Sequence, residues 1–372
     1  MREVPLSTNL LARLDTAIAA APDPTTAACL RADRAAMLAR LGHRGQARAE
    51  IAALRGIQAQ RPSPRVDAWL CLAEGLADFF EELEPSARTH IQAAYTRSLE
   101  ARDPALHALA AAWLAHLNYV QRDTAGLVRH VVQALHLAGP EDHDARARAC
   151  LVVAEAWHSA GRFDLALPWY RSARLHASQL GDEATLSALM HNMAWLRAHE
   201  AREKVLFGAA DPDQTRQALM GAESTERFDT GVGTGALHAL LPILRAQIHT
   251  LLGEYDQALA LYDSTLAQAL QEGLRYLEPC FRADIAWCHL QLGHRSEARQ
   301  AAEAAWLCID DTCADDDRAY ALKRLALVFE ALGEAERAKG LEAQSQAHLS
   351  LHRDYQAQLR VALQQALTGL KP

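Results

Sequence analysis

The chain carries 17 histidines, 7 cysteines and 46 acidic residues among 372. Raw material for metal or acid–base chemistry is plentiful, so spacing decides whether any of it is assembled. His199-Glu200 opens like a helical zinc motif, but no second histidine follows at the required spacing. Cys308 and Cys313 have no cysteine or histidine neighbours to complete a tetrahedral set. Glu141-Asp142-His143-Asp144 and Asp315-Asp316-Asp317 each precede an expected helix, where carboxylates favour the positive end of the helix dipole, and capping is the preferred reading of both. Gly231-Val232-Gly233-Thr234-Gly235 invites comparison with a phosphate cradle. No strand precedes it and no Gly-Lys-Ser/Thr follows, so it reads as an inter-helix loop within an irregular stretch, 200–236. Nucleophile elbows and Walker loops are absent. The chain is therefore expected to have no catalytic residues, no metal and no cofactor, and to be non-enzymatic. What remains is binding chemistry. In LMHNMAWLRAH (189–199), helical spacing puts His191, Asn192, Trp195 and His199 on one face.

The elements that must position such a face are helices. Half the residues are hydrophobic and only 6% aromatic, with 19 Gly and 13 Pro, and long stretches are dominated by Ala, Leu, Arg, Glu and Gln. Valine and isoleucine never gather into alternating runs, which excludes a sandwich or a doubly wound sheet. The net charge is −8 and the basic residues are scattered, so nucleic acid is not an expected partner. The cysteines contain no C-x-x-C pair and read as reduced core residues. The first twenty residues lack a signal-peptide hydrophobic region and no apolar run reaches eighteen, from which a cytoplasmic chain without membrane association is expected.

A repeat runs through the helical pattern. LARLGHRGQARAEI (38–51), WHSAGRFDLALPWY (157–170), HTLLGEYDQALALY (249–262), HLQLGHRSEARQAA (289–302) and FEALGEAERAKGLE (329–342) share a glycine followed five residues later by alanine. The pairs are Gly42/Ala47, Gly161/Ala166, Gly253/Ala258, Gly293/Ala298 and Gly333/Ala338. Two copies without the glycine place Ala87 and Ala125 in register, and a divergent repeat must fill the interval between Ala166 and Ala258. Physically, the glycine takes the left-handed conformation that ends one helix, and a second helix starts two or three residues later. The alanine then sits where the two helices come closest, and a larger side chain would push them apart. Such hairpins cannot bury their apolar faces alone, so they stack.

This pattern resembles the tetratricopeptide repeat family. The resemblance rests on the small residues at the helix crossing, Gly161-Arg162-Phe163 and Gly253-Glu254-Tyr255 at the turns, and Tyr170 and Tyr262 further down the second helix. It covers about residues 25 to 345. The period near 40 is longer than the family's usual one and resembles the longer-helix versions of bacterial regulators and peptide-sensing proteins. The resemblance implies an all-α, right-handed superhelical solenoid of stacked antiparallel hairpins whose first helices line a concave groove. Carried over from the alanine anchors, it places Glu155, His158, Gln247, Asp284, Trp287, Gln291, Lys323 and Arg324 near that groove, together with the face of the divergent repeat. Asn192 resembles the asparagine with which family members clamp a bound peptide backbone, since an amide donates and accepts at once. Lys323 and Arg324 favour an acidic or carboxylate-bearing ligand.

Three segments are expected: a capping helix in 1–24, the solenoid over 25–345 with its divergent repeat around 183–236, and a terminal helix in 346–372 that caps the stack or pairs with a second copy. Gln365-Ala366-Leu367-Thr368-Gly369-Leu370 resembles the opening of bacterial diguanylate cyclase domains, though Gln365 replaces the acidic residue; the plainer reading is a helix ended by Gly369. The function this implies is a peptide- or protein-binding adaptor. The alternative is a sensory repeat domain that binds a small effector and signals through its terminal helix.

Overall fold

The computed structural model describes residues 9–82, 86–233 and 239–372. Among these there are seventeen α-helices, one 3₁₀ turn and no strand, and none of the described helices is long and apolar enough to cross a membrane. A first helix, α1 (Asn9–Ala19), precedes eight hairpins: α2 (Pro24–Arg40) with α3 (Arg44–Gln60), α4 (Pro64–Glu82) with α5 (Ser86–Glu100), α6 (Pro104–Val120) with α7 (Thr124–Leu137), α8 (His143–Ser159) with α9 (Phe163–Leu180), α10 (Glu183–Phe207) with α11 (Pro212–Val232), α12 (Leu240–Leu252) with α13 (Tyr255–Gln271), α14 (Glu278–Gln291) with α15 (Arg295–Leu307), and α16 (Asp315–Ala331) with α17 (Ala335–Ala366). The fold is an all-α solenoid of antiparallel hairpins.

The five phased glycines end their helices as their chemistry dictates, with φ of +84°, +73°, +80°, +83° and +91°. After each of them the next amide reaches back to the carbonyl five residues earlier, as in His43 N to Leu38 O and Glu254 N to His249 O. The paired alanines are fully or almost fully buried. One expectation fails. Ala125 is exposed, and the residue that makes the equivalent backbone contact, Leu127 N to Asp123 O, is the buried Leu127. The sequence hides this register because Arg122, with φ of +56°, does the glycine's work in that turn. Such a conformation costs a non-glycine residue about 1–2 kcal/mol.

The irregular stretch expected at 200–236 is mostly regular. It is the end of α10, at 25 residues among the longest helices, and the whole of α11. Asp211 accepts from the amides of Asp213 and Gln214 and so caps α11, with Pro212 as its first residue. Gly231 and Val232 belong to the end of α11, Gly233 follows with φ of +75°, and Thr234 and Gly235 of that motif lie outside the described residues. Pro242 sits in the first turn of α12, where its missing donor disturbs nothing. The capping helix expected within 1–24 is described from Asn9 to Ala19, and residues 1–8 of that segment lie outside the described residues. The boundary expected at 345/346 falls inside one unbroken helix, α17, which Gly369, at φ +82°, follows after a short turn.

The first helix of a hairpin packs on its partner and on the first helices of neighbouring hairpins, and this decides burial. In α8, 13 of 17 residues are buried, against 5 of 18 in α9. Two compact units result. Unit one comprises Met1–Leu189, Phe228–Ala236 and Gln358–Pro372; unit two comprises Met190–Arg227 and Leu237–Ala357. Within unit one the chain curls back on itself: Leu10 N donates to Gly181 O at 3.1 Å and Arg13 Nη1 to Gln179 O at 2.8 Å. Within unit two the long-range ties are side-chain ones, such as Arg202 to Asp317 at 2.6 Å.

Candidate functional site

In unit two, the residues named from the sequence fall into separate groups. Asp284 on α14 and Arg324 on α16 form a buried ion pair, Nε to Oδ1 2.9 Å, with side chains 5% and 4% exposed. Trp287 lies against the same guanidinium, 5.2 Å from ring centre to Cζ, and the Tyr262 hydroxyl donates to the other oxygen of Asp284 at 3.3 Å. Lys323 is held by both carboxylate oxygens of Glu342 at 2.9 Å. The two cations expected to confer a preference for acidic ligands are therefore already neutralised by carboxylates of the chain. Gln291 is exposed. Gln247 is 4% exposed, and its Nε2 meets no acceptor among the described residues.

On α10, the Trp195 and His199 rings are 4.7 Å apart, and His199 Nδ1 donates to the Trp195 carbonyl at 3.0 Å. His191, Asn192, Trp195 and His199 are all half-buried, and Trp195 packs against two apolar clusters, one containing Tyr262 and the other Leu241. His199 Nε2 stands 3.6 Å from Asp317. The ligand atoms of His199, Asp316 and Asp317 lie within 4.8 Å of one another, which is metal-like spacing. The Arg202 guanidinium already holds Asp317, and Arg202 also stacks on Tyr320 at 4.1 Å. A metal ion there would face a buried arginine, so the arrangement is that of an ion-pair network. Burial would raise the Asp317 carboxyl, but the His199 hydrogen bond and the Arg202 charge more than offset it and hold the group well below the usual carboxylate range.

In unit one, Glu155 and His158 are both 2% exposed. His158 Nδ1 shares a hydrogen bond with the Tyr170 hydroxyl at 3.1 Å, and Glu155 lies 3.8 Å from His116. Tyr170 thus meets its own hairpin's first helix, whereas Tyr262 reaches the next hairpin at Asp284.

Unit one also holds a site that the sequence did not disclose. Residues of α2, α4, α6 and α8 and the start of α10 line a narrow cleft whose cavity is about 20 Å³, room for about one water molecule. Its apolar wall is built from Leu72, Leu76, Leu109 and Trp113, and its polar wall from Asp33, Arg40, Asp144, Arg148, Asp182 and Thr185. Arg40 is locked: its Nη2 donates to both oxygens of Asp182, at 2.9 and 2.8 Å, and also to Thr185. Arg40 and Thr185 keep Asp182 below its ordinary value despite burial. Arg148 is different. It is 4% exposed and lies flat on Trp113, Cζ 3.8 Å from the ring centre, and no described carboxylate or carbonyl accepts a hydrogen bond from it. Burial and the neighbouring Arg40 bring it down to about 9. Asp33 and Asp144 are half-buried at the cleft, and neither is paired with a cation among the described residues. Burial and the facing Asp144 push Asp33 up to about 8, and burial with Asp182 pushes Asp144 up to about 6. A sequence signal did exist: charges at Asp33/Arg40 and at Asp144/Arg148, seven and four residues apart, recur on one face of first helices that are otherwise apolar.

No protein-family model matches the chain, and no curated protein matches it. Among solved structures the chain is similar to a Rap protein complexed with competence and sporulation factor, with a TM-score of 0.56 and 14% identity over 93% of this chain and 98% of that chain. At that identity the likeness is one of fold, a tetratricopeptide-like stack of helical repeats.

Proposed function

We propose that the chain is a binding scaffold whose first helices hold a peptide or a protein segment, and that it acts by binding rather than by turnover. The observation that carries this reading is the polar and aromatic face of α10 in unit two. His191, Asn192 and Trp195 are half-buried side by side there, on a first helix, the kind that in α8 buries 13 of its 17 residues. The fold supports it, since the similar Rap protein was solved with competence and sporulation factor bound. Trp195 offers apolar area with an N–H at its edge, and Asn192 can give and take hydrogen bonds with a peptide backbone. Gln247 adds a buried amide donor that meets no acceptor among the described residues.

The test is selection from a random-peptide display library on the purified chain, counter-selected on the His191→Ala/Asn192→Ala/Trp195→Ala variant after both show the same thermal unfolding. Peptides that bind the parent and lose at least tenfold in affinity on the variant are expected. Peptides that bind both equally, or no enrichment at all, would refute this placement.

A further inference from the structure

Unit one joins its first two helices to the turn between α9 and α10. Leu10 N donates to Gly181 O at 3.1 Å, Arg13 Nη1 to the carbonyls of Gln179 and Leu180 at 2.8 and 3.0 Å, and Arg40 to Asp182 and Thr185. Asp182 is itself fixed, accepting from Thr185 N at 2.9 Å where α10 starts. Beside this join, Asp33 of α2 and Asp144 of α8 line the cavity of about 20 Å³, which admits about one water molecule. Three carboxyls, those of Asp33, Asp144 and Asp182, stand there against two guanidinium groups, those of Arg40 and Arg148. One proton on the Asp33/Asp144 pair therefore makes the cavity electrically neutral. With both carboxyls ionised, the two charges would have neither a cation each nor space for the water that solvates them, and a charge buried on those terms is destabilising.

We propose that this join is a proton-operated latch: with one proton held between Asp33 and Asp144 the curl of unit one stays closed, and when both carboxyls ionise their repulsion across the join opens it. The groups around the pair set the direction. Burial, Asp144 and Asp182 favour the proton on Asp33 and Arg40 opposes it; burial, Asp182 and Asp142 favour it on Asp144, against Arg40 and Arg148. Toward the cavity α4 and α6 present Leu72, Leu76, Leu109 and Trp113. His116 of α6 stays neutral, pushed down to about 3 by burial and Arg148, and Arg148 keeps its charge below about 9. The carboxyl pair is thus the group that changes charge between pH 6 and 8.5. In the open form both carboxyls are hydrated and return to their ordinary value, about 3.9. The closed form holds the extra proton, so the closed-to-open ratio falls by up to about tenfold per pH unit as pH rises from about 6 to 8. The latch rests on unit one alone and is independent of the segment-binding reading of unit two.

The experiment places nitroxide labels on the two sides of the join, at Ala12→Cys and Ser178→Cys, both exposed positions, in the full chain carrying Cys308→Ser; the six other cysteines are buried. Electron–electron dipolar distances are measured at pH 6 and pH 8.5, with far-ultraviolet circular dichroism alongside. The labelled chain is expected to show one short distance at pH 6 and to move most of its population to longer distances at pH 8.5, with its helix content unchanged. Asp33→Asn/Asp144→Asn keeps the cavity filled but leaves no charge to repel, and is expected to hold the short distance at both pH values. Should that double variant lose helix, Asp33→Asn alone decides, with the same expectation. Distances that do not change with pH overturn the proposal. So does a pH-dependent change that persists in the Asn variants, a folded Asn variant that is open at both pH values, or an opening that accompanies loss of helix and is therefore global unfolding.

Discussion

Breaking the Asp284–Arg324 pair separates a structural role from a ligand-binding one. Both side chains are at most 5% exposed and meet at 2.9 Å, so Asp284→Ala strands a guanidinium beside Trp287 and leaves the Tyr262 hydroxyl without its 3.3 Å acceptor at Asp284. An uncompensated buried charge of this kind costs about 3–5 kcal/mol. Arg324→Met strands the carboxylate instead and is expected to cost a similar amount. Replacing both, as Asp284→Leu/Arg324→Met, removes the two charges together. The remaining penalty is then the hydroxyl, about 1–3 kcal/mol, offset in part by apolar packing. The double variant should therefore be clearly more stable than either single one. Native-state hydrogen exchange at the amides of α14 and α16 reads this locally. At tenfold per 1.4 kcal/mol, each single variant is expected to speed exchange by about two to three and a half decades, and the double variant by less. Single variants that cost under about 1 kcal/mol, the range of solvent-exposed pairs, would refute the reasoning and return Asp284 and Arg324 to a groove open to ligand.

Two further outcomes follow from the same packing and charges. Ala258→Leu, at a fully buried helix crossing, is expected to cost about 1–3 kcal/mol by overpacking, while Ala125→Leu on the exposed side of α7 changes stability by no more than about 0.5 kcal/mol; urea unfolding midpoints compare them, and equal losses would contradict the register described above. The pH dependence of thermal unfolding carries opposite signs for two groups. His116 is pushed down to about 3 in the fold against about 6.5 in the unfolded chain, so its contribution is complete above about pH 6.5 and is lost as pH falls toward 3. Asp33 is pushed up to about 8 against about 3.9 unfolded, so the fold holds the extra proton and loses stability as pH rises from about 4 to 8. Asp33→Asn should flatten that loss; an unchanged slope would mean that Asp33 titrates as an exposed carboxylate.

The residues by themselves determined the repeat. A glycine that must turn left-handed and an alanine that must let two helices touch are local requirements, legible in one strand of text at Gly42/Ala47 as at Gly333/Ala338. Where the same turn was made by Arg122, local reading slipped by two residues, because a strained arginine leaves no mark in composition. The divergent repeat was recognised as a gap in the period, but its helical regularity was not, since α10 and α11 lack the phased glycine and alanine. The candidate groove residues, which the family resemblance assigns to first helices, do lie on α8, α10, α12, α14 and α16. Which of them are already engaged was decided only by tertiary structure: Lys323 meets Glu342 across 19 residues, and Arg324 meets Asp284 across 40. The cleft of unit one lay further still from the linear pattern, because Arg40 and Asp182 come together across 142 residues. Helical periodicity tells which way a side chain faces on its own element. Which charges then share a dry space, and so which are left without partners, depends on how the stacked hairpins curl, and that curvature is summed over many small packing angles that no local motif records.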